Sequence, residues 1–138
     1  MDSLIALAAD LRIACQRVSR RVRYESSPEI APHLVSALAN LRHGPLTPGE
    51  LAEAERISAP SMTRTVNCLV ERGLVAREDH PSDGRCKVLS LTGDGHDLLD
   101  RVARARNDWM VHQLEVLSEE ERLLLRDATE LLNRVVMR

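Results

Sequence analysis

The spacing of apolar residues predicts long helices at both ends of the chain. Over residues 3–24 apolar side chains recur at alternating spacings of four and three, which is typical of a helix that packs on another helix. Thr92 can cap a helix that runs to about residue 115, and Ser118 with Glu121 forms a capping box that opens a last helix. The N-terminal seam consists of Leu4, Ala8, Leu11, Cys15, Val18 and Val22.

The middle of the chain predicts three shorter helices. One begins near Pro32 and ends before His43-Gly44-Pro45, which combines two strong helix-stop residues. Thr47-Pro48-Gly49-Glu50 matches a capping box with proline at the first helical position, so a helix is predicted over about 48–55. Ser58 can cap the third of these helices, over about 59–72, and Gly73 ends it.

After Gly73 the apolar period changes from 3.6 to 2, which indicates β-structure. Residues 74–78 and 87–91 are predicted to form the two strands of a hairpin around a turn that contains Asp83-Gly84. The predicted fold class is therefore mainly α with a small β-hairpin, in which six helices are arranged around a helix-turn-helix and its wing. A chain of 138 residues fits a single domain.

Composition and charge narrow the function. Tyr24 and Trp109 are the only aromatic residues, so the core must be aliphatic. The net charge is −2, but the stretch from Arg56 to Lys87 holds six basic and four acidic residues, a balance that permits DNA binding without requiring it. There is no glycine-rich phosphate loop, nucleophile elbow or clustered carboxylate pair, so we expect neither an enzyme nor a cofactor.

The cysteines and the overall hydropathy point to the cytoplasm. Cys15, Cys68 and Cys86 are odd in number and lack CxxC spacing, which argues against a disulfide framework or a structural zinc site. No stretch approaches the roughly 18–20 apolar residues that span a bilayer, and no basic secretory segment opens the chain. We therefore expect a cytoplasmic protein without bound metal or membrane contact.

Two segments of the sequence resemble the MarR family of regulators. Residues 51–75, which include Ser58-Ala59-Pro60-Ser61-Met62-Thr63-Arg64-Thr65-Val66-Asn67, are similar to that family's helix-turn-helix. Residues 83–95 are similar to its wing signature, Asp-x-Arg followed by Leu-Thr-x-x-Gly. The joint match to the helix, the wing and the start of the next helix is far more specific than a helix-turn-helix match alone.

The resemblance implies a sequence-specific DNA-binding regulator that works as a triangular homodimer. It implies a repressor on a palindromic operator, released when a small aromatic acid or phenol binds between the dimer helices and the DNA-binding lobe. We expect one domain over 1–138, with dimerisation helices at 1–30 and 110–138 and a winged lobe at 31–109. The recognition helix is placed at about 59–72 and the wing at about 74–91. Two apolar seams that a 138-residue monomer cannot easily cover also predict a partner subunit.

The predicted DNA contacts come from the recognition helix and the wing. On the helix they are the side chains on or beside the face opposite the buried one, Ser61, Thr63, Arg64 and Asn67, whose groups suit base edges or phosphates. At the wing tip Arg85 is predicted to enter the minor groove, while His80 and Lys87 are candidates for backbone contacts. Asp83 is acidic, so we expect it to stabilise the wing instead of facing phosphate.

The sequence says less about the effector, and it leaves two alternative functions open. An aryl acid needs a cation and an apolar or aromatic wall, for which the candidates are Arg17, Tyr24, His33 and Trp109. One alternative is a thiol-based redox sensor that uses Cys15, although that residue falls on the apolar seam, where a buried thiol is inert; Cys68 is expected to be more exposed. Another is a winged-helix module that binds protein instead of DNA.

Overall fold

The computed structural model describes residues 2–26 and 29–138, so Met1, Ser27 and Pro28 lie outside it, together with the parts of the predicted domain bounds that fall on them. The predicted fold class is confirmed, because six helices and one antiparallel hairpin follow in the expected order. The elements are α1 (Asp2–Glu25), α2 (Pro32–Leu41), α3 (Pro48–Glu55), α4 (Ala59–Glu71), β1 (Val75–Asp79), β2 (Lys87–Leu91), α5 (Gly93–Leu114) and α6 (Glu119–Val136).

The helix starts follow the predicted caps. The Glu50 N–H donates to the Thr47 hydroxyl at 3.1 Å, and the Thr47 N–H donates to the Glu50 carboxylate at 3.1 Å, which completes the capping box of α3. Ser118 and Glu121 form the same reciprocal pair at α6. Each box satisfies backbone groups that a helix end leaves unpaired, so these short sequence signals fix where α3 and α6 begin.

The hairpin differs from its prediction in two details. Its first strand begins at Val75 instead of Leu74, because the Leu74 N–H donates to the Leu69 carbonyl and closes the end of α4 after Gly73, whose φ is +73°. In addition, Leu46 pairs with Leu89 through two backbone hydrogen bonds, so β2 is flanked on both sides. The pairing of Leu46 with β2 was not predicted from the sequence.

One aliphatic core lies within the middle of the chain. It is shared by α2, α3, α4, the hairpin and the first half of α5, and it extends from Ile30 to Val102. Its largest fully buried side chains are Leu38, Leu51, Met62, Leu69 and Leu89. The buried positions of α4 follow the 3.6-residue period, which turns its polar face outward.

The two terminal helices bury no residue within the single chain. Leu4, Leu7, Leu124, Leu131 and Val135 are all more than half exposed. Helix α1 contacts α5 through a stacked pair, in which the Arg21 guanidinium lies 5.5 Å from the centroid of the Trp109 ring. Both helices therefore carry apolar surface that the rest of the chain leaves uncovered.

A close backbone approach joins the hairpin to α5. A Cβ atom on Gly95 would lie only 2.3 Å from the Leu74 carbonyl oxygen, so no other residue fits there without a shift. Thr92 reinforces the junction, since its hydroxyl donates to the Gly73 carbonyl at 2.6 Å and accepts from the Gly95 N–H at 3.1 Å. This contact gives a physical reason for the Leu-Thr-x-x-Gly segment.

Candidate nucleic-acid interface

The outer face of α4 is polar and open to solvent. Met62, Val66 and Leu69 point into the core, which leaves Arg64 and Asn67 exposed on the other side. Among the residues that the structure describes, α2, α3 and the hairpin share the core with the apolar face of α4, so most of the polar face stays open to solvent. An exposed polar helix face of this kind is suited to the major groove of DNA.

A small hydrogen-bond network surrounds the first turn of α4. The Ser58 hydroxyl accepts from the Ser61 N–H at 3.3 Å and donates to the Ser61 hydroxyl at 3.0 Å. The Arg64 guanidinium donates to that same Ser61 hydroxyl at 3.2 Å. A guanidinium held beside a helix N-terminus concentrates positive potential there, where the backbone already favours an anion such as phosphate.

The other two predicted contact residues on α4 are engaged differently. The Thr63 hydroxyl donates to the Ala59 carbonyl one turn earlier at 3.0 Å, so its proton is already used within the helix. The Asn67 side-chain oxygen accepts from the Arg77 guanidinium of β1 at 2.7 Å. Arg77 was counted only as one of the basic residues in the sequence analysis. The period-2 alternation of the strand could have indicated that Arg77 faces α4, because it places Arg77 on the same strand face as buried Val75.

The wing tip is organised by Asp83. Its carboxylate accepts from the Arg85 N–H at 3.0 Å and lies 3.9 Å from the Arg85 guanidinium, and its carbonyl accepts from the Cys86 N–H at 3.0 Å. These contacts form an Asx-type turn that leaves the Arg85 side chain 96% exposed. Arg85 is thus presented at the tip of the wing, free to reach a partner.

The base of the wing holds the two other predicted contact residues. Lys87 pairs with Asp79 directly across the hairpin, so part of its charge is neutralised within the chain. The His80 Nδ1 accepts from the Ser82 N–H at 3.1 Å, which leaves only Nε2 for an outside contact. Both residues therefore have an internal role in the hairpin as well as a position beside its tip.

A cavity of about 470 Å³ lies along one side of α4, between that helix, α2 and the turn after α3. Its lining includes His33, Ile57, Met62, Arg64 and Cys68, and we refer to it as the α2–α4 groove. Of the four predicted effector residues, only His33 lines this groove. Tyr24 stacks under Arg20 on α1, Trp109 stacks under Arg21, and Arg17 is exposed, so the structure does not assemble the four into one pocket.

The cysteine exposures are the reverse of those expected. Cys68 is partly buried against the core, because its position on α4 turns toward the α2–α4 groove. Cys15 is exposed in the single chain, where α1 has no buried residue. The expectation that Cys68 would be the more exposed of the two was wrong, and Cys15 is shielded only if a partner covers α1.

The electrostatics of two charged groups are perturbed where α1 lies against α5. The pKa of Glu25 lies below its ordinary value because the carboxylate accepts from Arg21, the residue that stacks on Trp109. Burial and the nearby charge of Arg23 lower the pKa of Arg106 on α5. The buried Nε of Arg106 has no hydrogen-bond partner among residues 2–26 and 29–138.

Among the residues that the structure describes, no group of three or more His, Cys, Asp or Glu side chains could hold a metal ion. Over the same part of the chain, none of the helices has the length and apolar character needed to cross a bilayer.

The fold and the polar face of α4 beside a hairpin define a winged helix-turn-helix protein of the DNA-binding regulator class. A sequence profile of the MarR family matches residues 35–85. An uncharacterized HTH-type transcriptional regulator of Mycobacterium leprae is 39% identical over 99% of this chain and 96% of its own length. The chain therefore belongs to the MarR family of transcriptional regulators, which are not enzymes.

Two other proteins show how far the likeness extends. The HTH-type transcriptional repressor MdtR of Bacillus subtilis is 29% identical over 89% of this chain and 83% of its own length. The crystal structure of a transcriptional regulator from Pseudomonas aeruginosa, described as putative, superposes with a TM-score of 0.86 at 29% identity, covering 100% of this chain and 99% of that one. The likeness thus includes the terminal helices as well as the lobe.

Proposed function

We propose that this regulator is a homodimeric repressor that binds a palindromic operator in the cytoplasm. Helix α4 of each subunit enters the major groove, and the hairpin reaches the adjacent minor groove. The similarity to MdtR, which is a transcriptional repressor, supports this sign of regulation. The observation that carries the proposal is the exposed polar face of α4 together with the exposed side chain of Arg85 at the tip of the adjoining hairpin.

The uncovered terminal helices support the dimer. A soluble monomer rarely exposes a long apolar stripe, and α6 carries one formed by Leu124, Leu131 and Val135 together with half-buried Ala128. Helix α1 exposes Leu4, Leu7 and Leu11 as well. Interleaving the two helices with those of a second copy buries both stripes at once. The two α4 helices then face the same side of the dimer, as a palindromic site requires.

Each predicted contact residue is assigned a role at the DNA. Arg64 and Ser61 contact phosphate or a base edge at the start of α4, where the helix dipole assists. Thr63 contributes chiefly its methyl group and its lone pairs, because its proton is used by Ala59. Asn67 reads a base edge further along the groove. Arg85 inserts into the minor groove, with Lys87 and His80 near the backbone and Asp83 holding the turn.

The effector is proposed to be a small aromatic acid or phenol that occupies the α2–α4 groove. Leu34, Ala37 and Met62 supply apolar walls, while Arg64 supplies a cation and His33 a hydrogen-bonding group for a carboxylate. Arg64 is shared between this groove and the DNA-facing surface. An anion that binds Arg64 from the α2–α4 groove therefore draws its guanidinium away from the operator. This gives a direct physical cause for the release of DNA.

A gel-shift titration against DNA upstream of the protein's own gene tests the proposal. We expect a sequence-specific complex whose affinity falls steeply, by about a thousandfold or more between 50 and 200 mM salt if six or more phosphates are contacted. Addition of salicylate should release the DNA. Binding that ignores both DNA sequence and salt would contradict the repressor assignment and favour the protein-interaction alternative.

The wing assignment has its own variant. Arg85→Ala should weaken operator binding by about 1–3 kcal/mol for each half-site, because the contact is lost while the exposed side chain has no part in the core. Circular dichroism and light scattering should show an unchanged fold and an unchanged dimer. Normal operator affinity in this variant would remove Arg85 from the interface.

A further inference from the structure

The Arg77–Asn67 hydrogen bond joins the recognition helix to the wing. Asn67 lies on the exposed face of α4, and Arg77 lies on β1 two residues beyond buried Val75, on the same face of the strand. Its cross-strand partner is the fully buried Leu89, so this face of the hairpin is turned toward the core and α4. The 2.7 Å distance between the guanidinium and the amide oxygen follows from that geometry.

The chemistry of the pair fixes the orientation of the Asn67 amide. A guanidinium carries only donors, so only the oxygen of the carboxamide can face it, and the NH₂ group must point away. A charged donor also makes a stronger hydrogen bond than a neutral one. An unrestrained asparagine can present either its oxygen or its nitrogen to DNA, whereas Asn67 is held with its two N–H donors directed outward.

The charge of Arg77 is not consumed by an acidic residue. Within residues 2–26 and 29–138 it forms no salt bridge, in contrast to Lys87, which pairs with Asp79 on the same hairpin. The guanidinium therefore keeps its full positive charge and most of its donors while it restrains Asn67.

We propose that Arg77 is a specificity-determining positioning residue. By fixing the Asn67 amide, it makes that position of α4 a donor-only reader, which favours bases that offer acceptors in the major groove and disfavours cytosine, whose N4 amino group is a donor. This inference rests on the proposed function, since it assumes that α4 lies in the major groove. Arg77 acts through Asn67 and is not assigned a base contact of its own.

The experiment selects binding sites from randomised duplexes with the full-length protein and its variants. Arg77→Gln replaces a donor-only group by an amide that can donate or accept, so the Asn67 orientation is no longer fixed. We expect discrimination to fall about fivefold or more at one base pair in each half-site, the same base pair that Asn67→Ala affects. The double variant should resemble either single variant at that position. Arg77→Lys, which also has donors only, should retain the wild-type preference.

Lys87→Gln provides the matched control, because it removes one positive charge from the same hairpin without touching Asn67. It should lower affinity for all sequences alike and leave the base preference unchanged. If Arg77→Gln behaves in the same way, with every base preference retained, the positioning role is wrong while the repressor assignment stands. If the wild-type protein selects no sequence at all, both the proposed function and this inference are overturned.

Discussion

The winged lobe and the terminal helices differ in how much of their apolar surface the single chain buries. The lobe buries a continuous aliphatic core from Ile30 to Val102, whereas α1 and α6 bury no residue in the single chain. Both regions have regular apolar spacing and well-formed helix caps. An apolar stripe and a good cap therefore specify a helix, but whether that helix packs within the chain depends on what the rest of the chain can cover.

The largest expected effect comes from placing a charge on the α6 stripe. Leu131 is 52% exposed in the single chain, but in the proposed dimer it is covered, so Leu131→Glu would bury an unpaired carboxylate. We expect the molar mass in light scattering to fall to that of the 15.4 kDa monomer. Operator affinity should fall by about a hundredfold or more, because the second half-site no longer adds to the first.

Asn133→Glu is the matched control for this substitution. It introduces the same charge two residues away, on the opposite side of α6, and should leave both the mass and the operator affinity unchanged. A Leu131→Glu protein that stays dimeric and binds the operator normally would place the dimer contacts elsewhere.

The next largest effect should come from truncating a core residue of the lobe, and it should appear in the free energy of unfolding instead of the molar mass. Leu38 is fully buried, so Leu38→Ala removes apolar contacts and leaves a cavity, which costs about 2–5 kcal/mol of unfolding free energy. Urea denaturation at fixed protein concentration measures that loss. The same truncation at exposed Leu4 should affect dimer dissociation and hardly change the unfolding of the lobe. Equal effects of the two truncations on lobe unfolding would contradict the claim that the lobe is stabilised by its own core and not by α1.

Gly95 tests the junction between the hairpin and α5. Gly95→Ala puts a Cβ against the Leu74 carbonyl, and since backbone must shift to accept it, we expect a loss of about 1–3 kcal/mol. Gly93→Ala is the control on the same helical turn, where a Cβ meets nothing within 4 Å, and it should change stability by less than about 0.5 kcal/mol. Thermal unfolding compares the two, and equal stabilities would show that the junction yields without cost.

The smallest effect should be a gain in stability. Arg56 closes α3 with φ +54° and ψ +43°, a left-handed conformation in which a side chain is unfavourable and glycine is not. Arg56→Gly should therefore stabilise the lobe by up to about 1 kcal/mol, again measured by urea denaturation. A clear loss instead would indicate that the Arg56 side chain makes a stabilising contact.

Short sequence signals predicted the helices and strands because each of these elements begins or ends through contacts between residues close in sequence. The caps at Thr47, Ser58 and Ser118 and the change of period after Gly73 each depend on residues within one turn or strand, and the structure contains them all. The strand start at Val75 was missed by one residue because the closure of α4 uses the Leu74 N–H. Local chemistry at one element's end therefore set the boundary of the next.

The missed features all depend on contacts distant in sequence. The pairing of Leu46 with Leu89 and the hydrogen bond between Arg77 and Asn67 join residues whose approach is decided by packing, not by spacing. The α2–α4 groove likewise arises where two helices and a turn meet. Among the predicted effector residues only His33 lines it, because charge and aromaticity alone do not reveal which side chains converge.

The close approach at Gly95 and the Thr92 hydrogen bonds tie the base of the wing to the start of α5, so we expect the two to move together. The 22 residues of α5 form a rod about 33 Å long, which begins at the base of the wing and ends beyond the ring of Trp109 against α1. A tilt of about 10° at the α1 end would displace the other end by about 6 Å over that length. In the proposed dimer, whose two half-sites would lie one helical turn or about 34 Å apart, we expect a displacement of that size in each subunit to take both wings out of register with their grooves.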